Sequence, residues 1–321
     1  MILRGTPASH RHHPGIIAPQ EEIMKARISL IFVVLVSLAV SGNTQTGQPQ
    51  VMRDLEYSRA GDTSLKLDLY LPAAKGPHPL IVWIHGGAFL GGDKGQVFWT
   101  PILDETKRGY AVASINYRLS NQAVFPALIQ DCRAAIRWLR ANAAKYDINA
   151  ERIVVGGESA GGYLAAFLGT SGDVTTFDTF PLANSKQSSR VQGVVDFFGP
   201  TDFLQMDAGA PRSCEKPQVH NVADSPESRL LGCNLQECPD KVKAANPITY
   251  VTRDDPPFLI LHGTSDCLVA PNQSQLLYDA LNGAGVRASL HLLPGFSHGD
   301  KRFISSEYEK LVNEFIDGIL R

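Results

Sequence analysis

The chain has 321 residues, of which 44% are hydrophobic and 19% are charged, so it can bury a sizeable core and is neither disordered nor a coiled coil. Its 30 Lys and Arg residues nearly balance 32 Asp and Glu residues, and the formal net charge is −2. This balance provides no basic surface for nucleic acid or for an anionic membrane, and we therefore expect neither as a partner.

The first predicted element is an N-terminal leader. From Met24, basic residues precede an apolar run over 28–40, which ends at a small-x-small cleavage site. This run is shorter than the roughly 20 residues that span a bilayer, and no Cys follows it to carry a lipid anchor. We predict a signal peptide over 24–41 and a secreted or periplasmic protein without a stable membrane anchor. Residues 1–23 are predicted to be an upstream extension or an over-called start.

Strand and helix patterns alternate along the remaining chain, 42–321, which we predict to be a single domain. Alternating strands and helices indicate an α/β fold with a mostly parallel sheet and helices on both faces. The pattern fails over 203–246, which we predict to be a cap-like insertion over the sheet. Apolar runs predict strands at 55–58, 65–71, 80–84, 110–117, 152–156, 191–198, 258–262 and 288–293, and helical periodicity predicts helices at 128–139, 159–169, 273–281 and 304–319.

A G-x-S-x-G sequence centred on Ser159 lies between a predicted buried strand and a predicted helix. A tight strand-to-helix turn of this kind holds the Ser in a strained conformation and admits only small neighbours. The helix N-terminus also directs free N–H groups towards the place where an oxyanion would form. We therefore predict that Ser159 is a nucleophile. The alternative is a Gly-rich helix start with a capping Ser, whereas a dinucleotide loop would need a different glycine spacing.

A second glycine-containing loop, HGGAF, begins at His85 and follows the predicted strand at 80–84. Its two glycines allow the backbone to approach a substrate and to turn N–H groups towards a carbonyl oxygen. We expect the N–H groups of Gly86, Gly87 and Ala160 to form an oxyanion hole. His85 is predicted to orient this loop, with a general base as its alternative role and an ordinary strand-end turn as the alternative for the whole motif.

His298 lies in a loop between the last predicted strand and the last predicted helix, from which its ring can reach Ser159. Asp266 lies in the loop after the preceding predicted strand, and the chain order Ser, Asp, His is that of many hydrolases with this type of nucleophile turn. We predict His298 as the general base and Asp266 as the acid that orients it. Asp202 is the alternative acid, and His262 is predicted to be a packed or hydrogen-bonded residue.

The motifs HGGAF, GESAGG, SDCLV and FSHG resemble those of the α/β-hydrolase carboxylesterases, in the group with hormone-sensitive-lipase-like and bacterial acetyl-xylan and feruloyl-type esterases. The resemblance covers roughly residues 52 to 320. It implies the α/β-hydrolase fold, a carboxylic ester hydrolase activity and no cofactor. Two positions depart from the pattern: Ala88 replaces the usual third glycine of the first motif, and Glu158 stands where many relatives have Asp.

The five cysteines suggest disulfides rather than a metal site or a catalytic thiol. Cys132 lies on the apolar face of a predicted helix, where we expect a buried free thiol. Export permits disulfides, and the other four cysteines allow three connectivities. Cys233 and Cys238 are close enough in sequence to bridge a tight loop, which leaves Cys214 for Cys267.

We predict no metal ion. The cysteines contain no C-x-x-C pair and no zinc spacing. His10, His12 and His13 are an alternative metal site, but no carboxylate or Cys is spaced to complete it.

These patterns together predict a secreted serine esterase that hydrolyses short-acyl esters through an acyl-enzyme. The short-acyl preference follows from the insertion at 203–246, which is polar, rich in Pro and poor in the large apolar side chains that would hold a long acyl tail. The expected partner is a small-molecule ester, either of a plant polysaccharide or of an aryl compound. The alternatives are a prolyl-oligopeptidase-like serine peptidase and a non-catalytic hydrolase-like binding protein.

Overall fold

The computed structural model describes residues 49–99, 101–178 and 184–321. The predicted upstream extension and signal peptide lie outside these residues. Within the three described ranges, no helix is both long enough and apolar enough to span a bilayer.

The strands of the described chain form one sheet. They are β1 (Gln50–Ala60), β2 (Thr63–Leu71), β3 (His78–Ile84), β4 (Ala111–Ile115), β5 (Ile148–Glu158), β6 (Gly193–Phe197), β7 (Phe258–Gly263) and β8 (Ala288–Leu293). Their spatial order is β1-β2-β4-β3-β5-β6-β7-β8. β1 pairs with β2, and β2 with β4, in antiparallel orientation, whereas every later pair in this order is parallel. The predicted mostly parallel sheet is therefore confirmed.

The α-helices of the described residues are α1 (Ala127–Ala141), α2 (Ala143–Tyr146), α3 (Ala160–Thr170), α4 (Pro226–Leu231), α5 (Pro239–Ala245), α6 (Asn272–Gly283) and α7 (Ser306–Leu320). The four helices that the sequence predicts correspond to α1, α3, α6 and α7. The insertion contains two more, α4 and α5, in a stretch where periodicity predicts no element.

The short helix α4 has clear start and stop signals in the sequence. The Ser225 side chain accepts a hydrogen bond from the backbone N–H of Ser228 at 3.1 Å, and Pro226 occupies the first turn. Gly232 ends the helix in the left-handed conformation, with φ of 68°. Capping residues therefore define an element that is too short to show hydrophobic periodicity.

The central strands bury both of their faces, which explains why their sequences are apolar at nearly every position. In β3, Leu80, Val82 and Ile84 belong to the core that includes residues of α1, α3 and α6. The alternate residues, Ile81 and Trp83, belong to the core on the α7 side. Alternate side chains of β3 therefore pack against helices on opposite faces of the sheet.

The insertion is packed against the main core rather than held away from it. Five of its large apolar side chains are buried and belong to the same hydrophobic cluster as the β3 and α3 residues; they are Phe203, Met206, Leu230, Leu231 and Leu235. These side chains fix the insertion beside the carboxyl ends of the parallel strands, where β5 and β7 lead into the loops that carry the predicted site.

Candidate active site

Ser159 occupies the turn between β5 and α3 in a strained conformation, with φ of 53° and ψ of −119°. The flanking glycines are required by close packing. A side chain on Gly157 would collide with the backbone carbonyl of Gly161, and one on Gly161 would collide with the carbonyl of Ile84. The G-x-S-x-G pattern therefore follows from how closely this turn approaches β3.

The structure brings the three predicted triad residues into one hydrogen-bonded chain. The Nε2 atom of His298 lies 3.0 Å from the hydroxyl oxygen of Ser159, and its Nδ1 atom lies 2.7 Å from Oδ2 of Asp266. The His298 ring also packs edge to face against Phe198, with ring centroids 4.7 Å apart. This arrangement can transfer a proton from the hydroxyl to the imidazole while the carboxylate stabilises the resulting cation.

Asp266 is fully buried, and both of its oxygens are hydrogen-bonded. Oδ1 accepts hydrogen bonds from the backbone N–H groups of Leu268 and Val269, both at 2.9 Å. Oδ2 faces His298 and also lies 3.3 Å from Nε2 of His262. Burial alone would raise the pKa of Asp266, but the hydrogen bonds and charges of His262 and His298 outweigh it and hold the pKa well below the ordinary range.

The three predicted oxyanion-hole residues lie around the same cavity as Ser159. Ala160 is the first residue of α3, so its N–H belongs to the unpaired end of that helix. The N–H of Gly86 makes only a long contact of 3.4 Å to the Glu158 carboxylate. Gly87 has φ of 113°, and its carbonyl accepts hydrogen bonds from the backbone N–H groups of Leu90 and Gly91, both at 3.0 Å.

His85 has no contact that would make it a general base for Ser159 among the hydrogen bonds of the described residues. Its Nδ1 atom donates to the carbonyl of Gly86 at 2.7 Å, and its ring stacks on Tyr117 at 4.5 Å. Burial lowers the pKa of His85, which disfavours the charged form of the ring. These contacts favour the loop-orienting role predicted for it.

The alternative acid, Asp202, is engaged elsewhere. Its Oδ1 atom accepts a hydrogen bond from the backbone of Leu204 at 3.1 Å, and its Oδ2 atom accepts one from the side chain of Gln205 at 2.6 Å. Both contacts cap the short turn that follows it. Asp202 therefore stabilises the start of the insertion, and the contact to His298 is made by Asp266.

The cavity at the site has a volume of about 380 Å³. It is lined by residues of the loops that follow strands of the sheet and by residues of the insertion. Its apolar wall contains Phe89, Phe198, Leu268 and Val269. The insertion adds polar side chains that the sequence patterns did not single out: Gln218, His220 and Glu227. No repeated spacing marks these residues, and only the helix cap at Ser225 indicates that an ordered element lies beside them.

Both disulfides have the connectivity that the sequence favours. Cys233 is bonded to Cys238, and Cys214 of the insertion is bonded to Cys267, directly after Asp266. Cys132 is a buried free thiol. In the parts of the chain that the structure describes, no group of three or more His, Cys, Asp or Glu side chains is arranged to hold a metal ion.

The BD-FAE family model matches residues 67–281, which is more than half of the chain. The chain belongs to the BD-FAE family. A truncated carbohydrate esterase from gut microbiota superposes on this BD-FAE chain with a TM-score of 0.76 and 34% identity, over 84% of this chain and 95% of that one. The thermophilic esterase Est2 from the planctomycete Thermogutta terrifontis superposes with a TM-score of 0.65 and 26% identity, over 84% of this chain and 92% of that one.

Among curated proteins, esterase LipC from Mycobacterium tuberculosis is 29% identical over 224 residues, which cover 70% of this chain and 53% of LipC. The BD-FAE chain spans about half the length of the curated relatives that it matches. Together with the strand order, the comparisons confirm the predicted α/β-hydrolase fold and the resemblance to α/β-hydrolase esterases.

Proposed function

We propose that the protein is a secreted serine esterase that hydrolyses short-acyl carboxylic esters, with Ser159 as nucleophile, His298 as general base and Asp266 as the orienting acid. The observation that carries this proposal is the hydrogen-bonded chain from the Ser159 hydroxyl through His298 to Asp266 beside an open cavity. The esterase names of the relatives favour ester hydrolysis over the peptidase alternative. The presence of all three polar groups argues against a non-catalytic binding protein.

In the first half of the reaction, the Ser159 oxygen attacks the ester carbonyl carbon while His298 takes the hydroxyl proton. The carbonyl oxygen becomes an oxyanion, and the N–H groups of Gly86, Gly87 and Ala160 stabilise its charge. The bond from the carbonyl carbon to the alcohol oxygen then breaks, and His298 returns the proton to the departing alcohol. Ser159 is left as an acyl ester.

In the second half, water attacks the acyl carbon and gives a proton to His298. The acyl bond to Ser159 breaks, the carboxylic acid leaves, and His298 returns the proton to the Ser159 oxygen. His298 carries a positive charge in both halves of the reaction. The buried Asp266, whose pKa is held low, lies 2.7 Å from Nδ1 of that ring, so it stabilises the cation and fixes the tautomer that leaves Nε2 free to accept.

For the substrate, we propose an ester of a polysaccharide as the first candidate and an aryl ester as the second. The first is supported by the name of the solved carbohydrate esterase, which is 34% identical, and by the polar Gln218 and Glu227 at the cavity wall. The second is supported by the aromatic rings of Phe89 and Phe198 on the apolar wall.

Export of the protein is supported by the leader-like sequence at 24–41 and by the two disulfides, since disulfides persist in oxidising compartments. Amino-terminal sequencing of the protein recovered outside the cytoplasm tests this part of the proposal. We expect a mature chain that begins near Gly42. An exported protein that retains residues 24–41 would contradict the cleavage.

A substrate series tests the activity: para-nitrophenyl esters from acetate to palmitate, acetylated xylan, methyl ferulate, and a peptide amide for the peptidase alternative. Ser159→Ala and His298→Ala should each lower kcat on the order of 10⁴- to 10⁶-fold, and the double variant should lower it little further, because the two residues act as a unit. Asp266→Asn should cost on the order of 10³-fold or more.

The matched control for the acid is Asp202→Asn, which removes a carboxylate from the neighbouring loop without touching His298. We expect it to retain near-normal kcat. A larger loss for Asp202→Asn than for Asp266→Asn would contradict the assignment of the acid. Labelling with a fluorophosphonate, followed by peptide mass spectrometry, should place the adduct on Ser159; an adduct on another residue would contradict the nucleophile.

A further inference from the structure

His220 is a buried residue of the insertion whose ring lies between two hydrogen-bond acceptors. Its Nδ1 atom lies 2.8 Å from Oε2 of Glu227, and its Nε2 atom lies 3.0 Å from the backbone carbonyl of Leu268. The side chains of His220 and Glu227 are each only 5% exposed. A carbonyl cannot donate, and an ionised carboxylate cannot either, so both hydrogen bonds exist together only when both ring nitrogens carry protons.

The charges around His220 favour this doubly protonated ring. Glu227 lies at the start of α4, and Asp207 accepts hydrogen bonds from the backbone N–H groups of His220 and Asn221, at 2.7 and 3.0 Å. Burial lowers the pKa of His220, but Glu227, the Leu268 carbonyl and Asp207 together outweigh it, and the net pKa is raised.

Other ionisable groups lie in the loops around the cavity. Glu158 and His298 line the same cavity as His220, and Asp266 accepts a hydrogen bond from the N–H of Leu268. The His220 ring therefore has carboxylates of the insertion beside it and contacts the acid loop through Leu268.

Leu268 connects this ring to the proposed triad. Its carbonyl accepts the hydrogen bond from His220, and its N–H donates to Oδ1 of Asp266 at 2.9 Å. The neighbouring residue is held by the insertion as well, because Cys267 is bonded to Cys214 and its carbonyl accepts the backbone N–H of Gln218 at 2.8 Å. The insertion thus contacts the acid loop on both sides of the Cys267–Leu268 peptide.

We propose that His220 is a positioning residue whose imidazolium form holds Leu268 and thereby fixes Asp266 against His298. This inference rests on the proposed esterase function. When His220 loses one proton, the remaining proton stays on Nδ1, which faces the stronger acceptor, the Glu227 carboxylate. The Nε2 lone pair then faces the Leu268 carbonyl, the hydrogen bond is lost, and Asp266 loses part of its support.

The loss of the hydrogen bond between His220 and Leu268 on deprotonation sets the direction of the pH effect. His220 gains a proton-dependent interaction in the folded protein, so the support is present at low pH and is lost as the pH rises through the titration of His220. We therefore expect an alkaline decrease in kcat on top of the acid decrease that a general base at His298 imposes.

The test measures kcat and KM for para-nitrophenyl acetate against pH, with the full chain, for the wild type, His220→Ala, His220→Gln and Val219→Ala. His220→Ala should lower kcat about tenfold at neutral pH, leave KM nearly unchanged and lack the alkaline decrease. In His220→Gln the amide N–H can still donate to Leu268, so we expect partial recovery of kcat, again without the alkaline decrease. Val219 is adjacent and 50% exposed, so Val219→Ala is the matched control and should behave like the wild type.

Hydrogen exchange provides a readout that does not depend on activity. The amides of Leu268 and Val269 should exchange faster in His220→Ala than in the wild type or in Val219→Ala, because the acid loop is less well held. If His220→Ala does not fold, the same comparison is made with His220→Gln, whose loop amides should exchange faster than those of the wild type and of Val219→Ala.

The outcomes separate this inference from the proposed function. The positioning role would be overturned if the His220 variants had the kcat, pH profile and hydrogen exchange of the wild type. A lowered kcat that keeps the wild-type alkaline decrease would also overturn it. If Ser159→Ala hydrolyses the ester as fast as the wild type, the proposed function fails, and exchange at Leu268 alone then decides whether His220 holds the loop.

Discussion

Cys214 of the insertion is covalently bonded to Cys267, the residue that directly follows the proposed acid, Asp266. The carboxylate of Asp266 in turn accepts hydrogen bonds from the two backbone N–H groups that come next, those of Leu268 and Val269. The loop that carries Asp266 is therefore held by its own hydrogen bonds and by a disulfide to a residue 53 positions away in sequence. We therefore expect stability and the orientation of the acid to depend on the same link.

Removal of this link by the double substitution Cys214→Ser, Cys267→Ser should lower both the melting temperature and kcat. Opening a loop of this length costs about 2–4 kcal/mol in the free energy of unfolding. The loss in kcat follows because small displacements of the acid misalign His298. Calorimetry and steady-state kinetics measure the two effects.

The matched control is Cys233→Ser, Cys238→Ser, which opens the other disulfide within the insertion. We expect a smaller loss of stability, because the loop is short, and a kcat close to that of the wild type. Cys132→Ser should change stability alone, since this thiol is buried in the core away from the site. Equal losses of kcat in both double variants would contradict a specific effect on the acid loop.

The strands, the main helices and the proposed triad could be predicted from sequence because each depends on local patterns. Ser159 lies in a turn whose glycines are dictated by close packing, and Asp266 and His298 each follow a strand at the same edge of the sheet. Because the loops after parallel strands lie at one edge of the sheet, the three side chains are close together. The favoured disulfides follow from sequence separation in the same way, with Cys214 and Cys267 paired by elimination.

The contacts of the insertion could not be predicted, because they depend on packing between distant segments. His220 meets Leu268 across 48 residues, and no periodic pattern marks either of them. His262 was predicted to be packed or hydrogen-bonded, and it is: its Nδ1 atom lies 2.7 Å from the Ser274 hydroxyl. The distance of 3.3 Å between Nε2 of His262 and Oδ2 of Asp266 depends on how the loop after β7 folds back against that strand.

The acyl chain that the site accepts should be short. Five large apolar side chains of the insertion, Phe203 and Leu231 among them, are buried in the core and cannot line an acyl tunnel. A long acyl chain would need further apolar surface, at about 0.8 kcal/mol per buried CH₂. We expect kcat/KM to be higher for butyrate than for laurate or palmitate esters, measured below the solubility limit of each ester. A higher kcat/KM on laurate would contradict this prediction.

The loop that contains the oxyanion-hole glycines is strained at Ala88, which has φ of 54° where the related esterases usually have a glycine. Ala88→Gly should stabilise the protein by about 0.5–1 kcal/mol, because the left-handed conformation costs a residue with Cβ more than it costs glycine. Gly87→Ala is the contrasting variant. Its Cβ would collide with the carbonyl of Gly91, so we expect a large loss of stability. Chemical denaturation measures both, and a destabilised Ala88→Gly variant would contradict the strain.

Asp196 is a buried carboxyl group of β6 that the proposed mechanism does not use. Oδ1 accepts a hydrogen bond from the backbone N–H of Gly199 at 2.9 Å, whereas Oδ2 is buried and has no hydrogen-bond partner in the described chain. Burial raises the pKa of Asp196 to about 6, and the Gly199 hydrogen bond and the charge of His262 offset only part of this effect. The folded protein therefore binds this proton more tightly than the unfolded chain does.

Stability should consequently fall as the pH rises from the ordinary pKa of an Asp towards about 6, because the native state holds the extra proton in this interval. Asp196→Asn keeps the acceptor for Gly199 and cannot ionise. We expect this variant to exceed the wild type in unfolding free energy by on the order of 1–3 kcal/mol at about pH 8, with the difference shrinking towards about pH 4. Urea denaturation at a series of pH values measures it. A difference between the two proteins that is independent of pH would show that the change at Asp196 acts through packing rather than through ionisation.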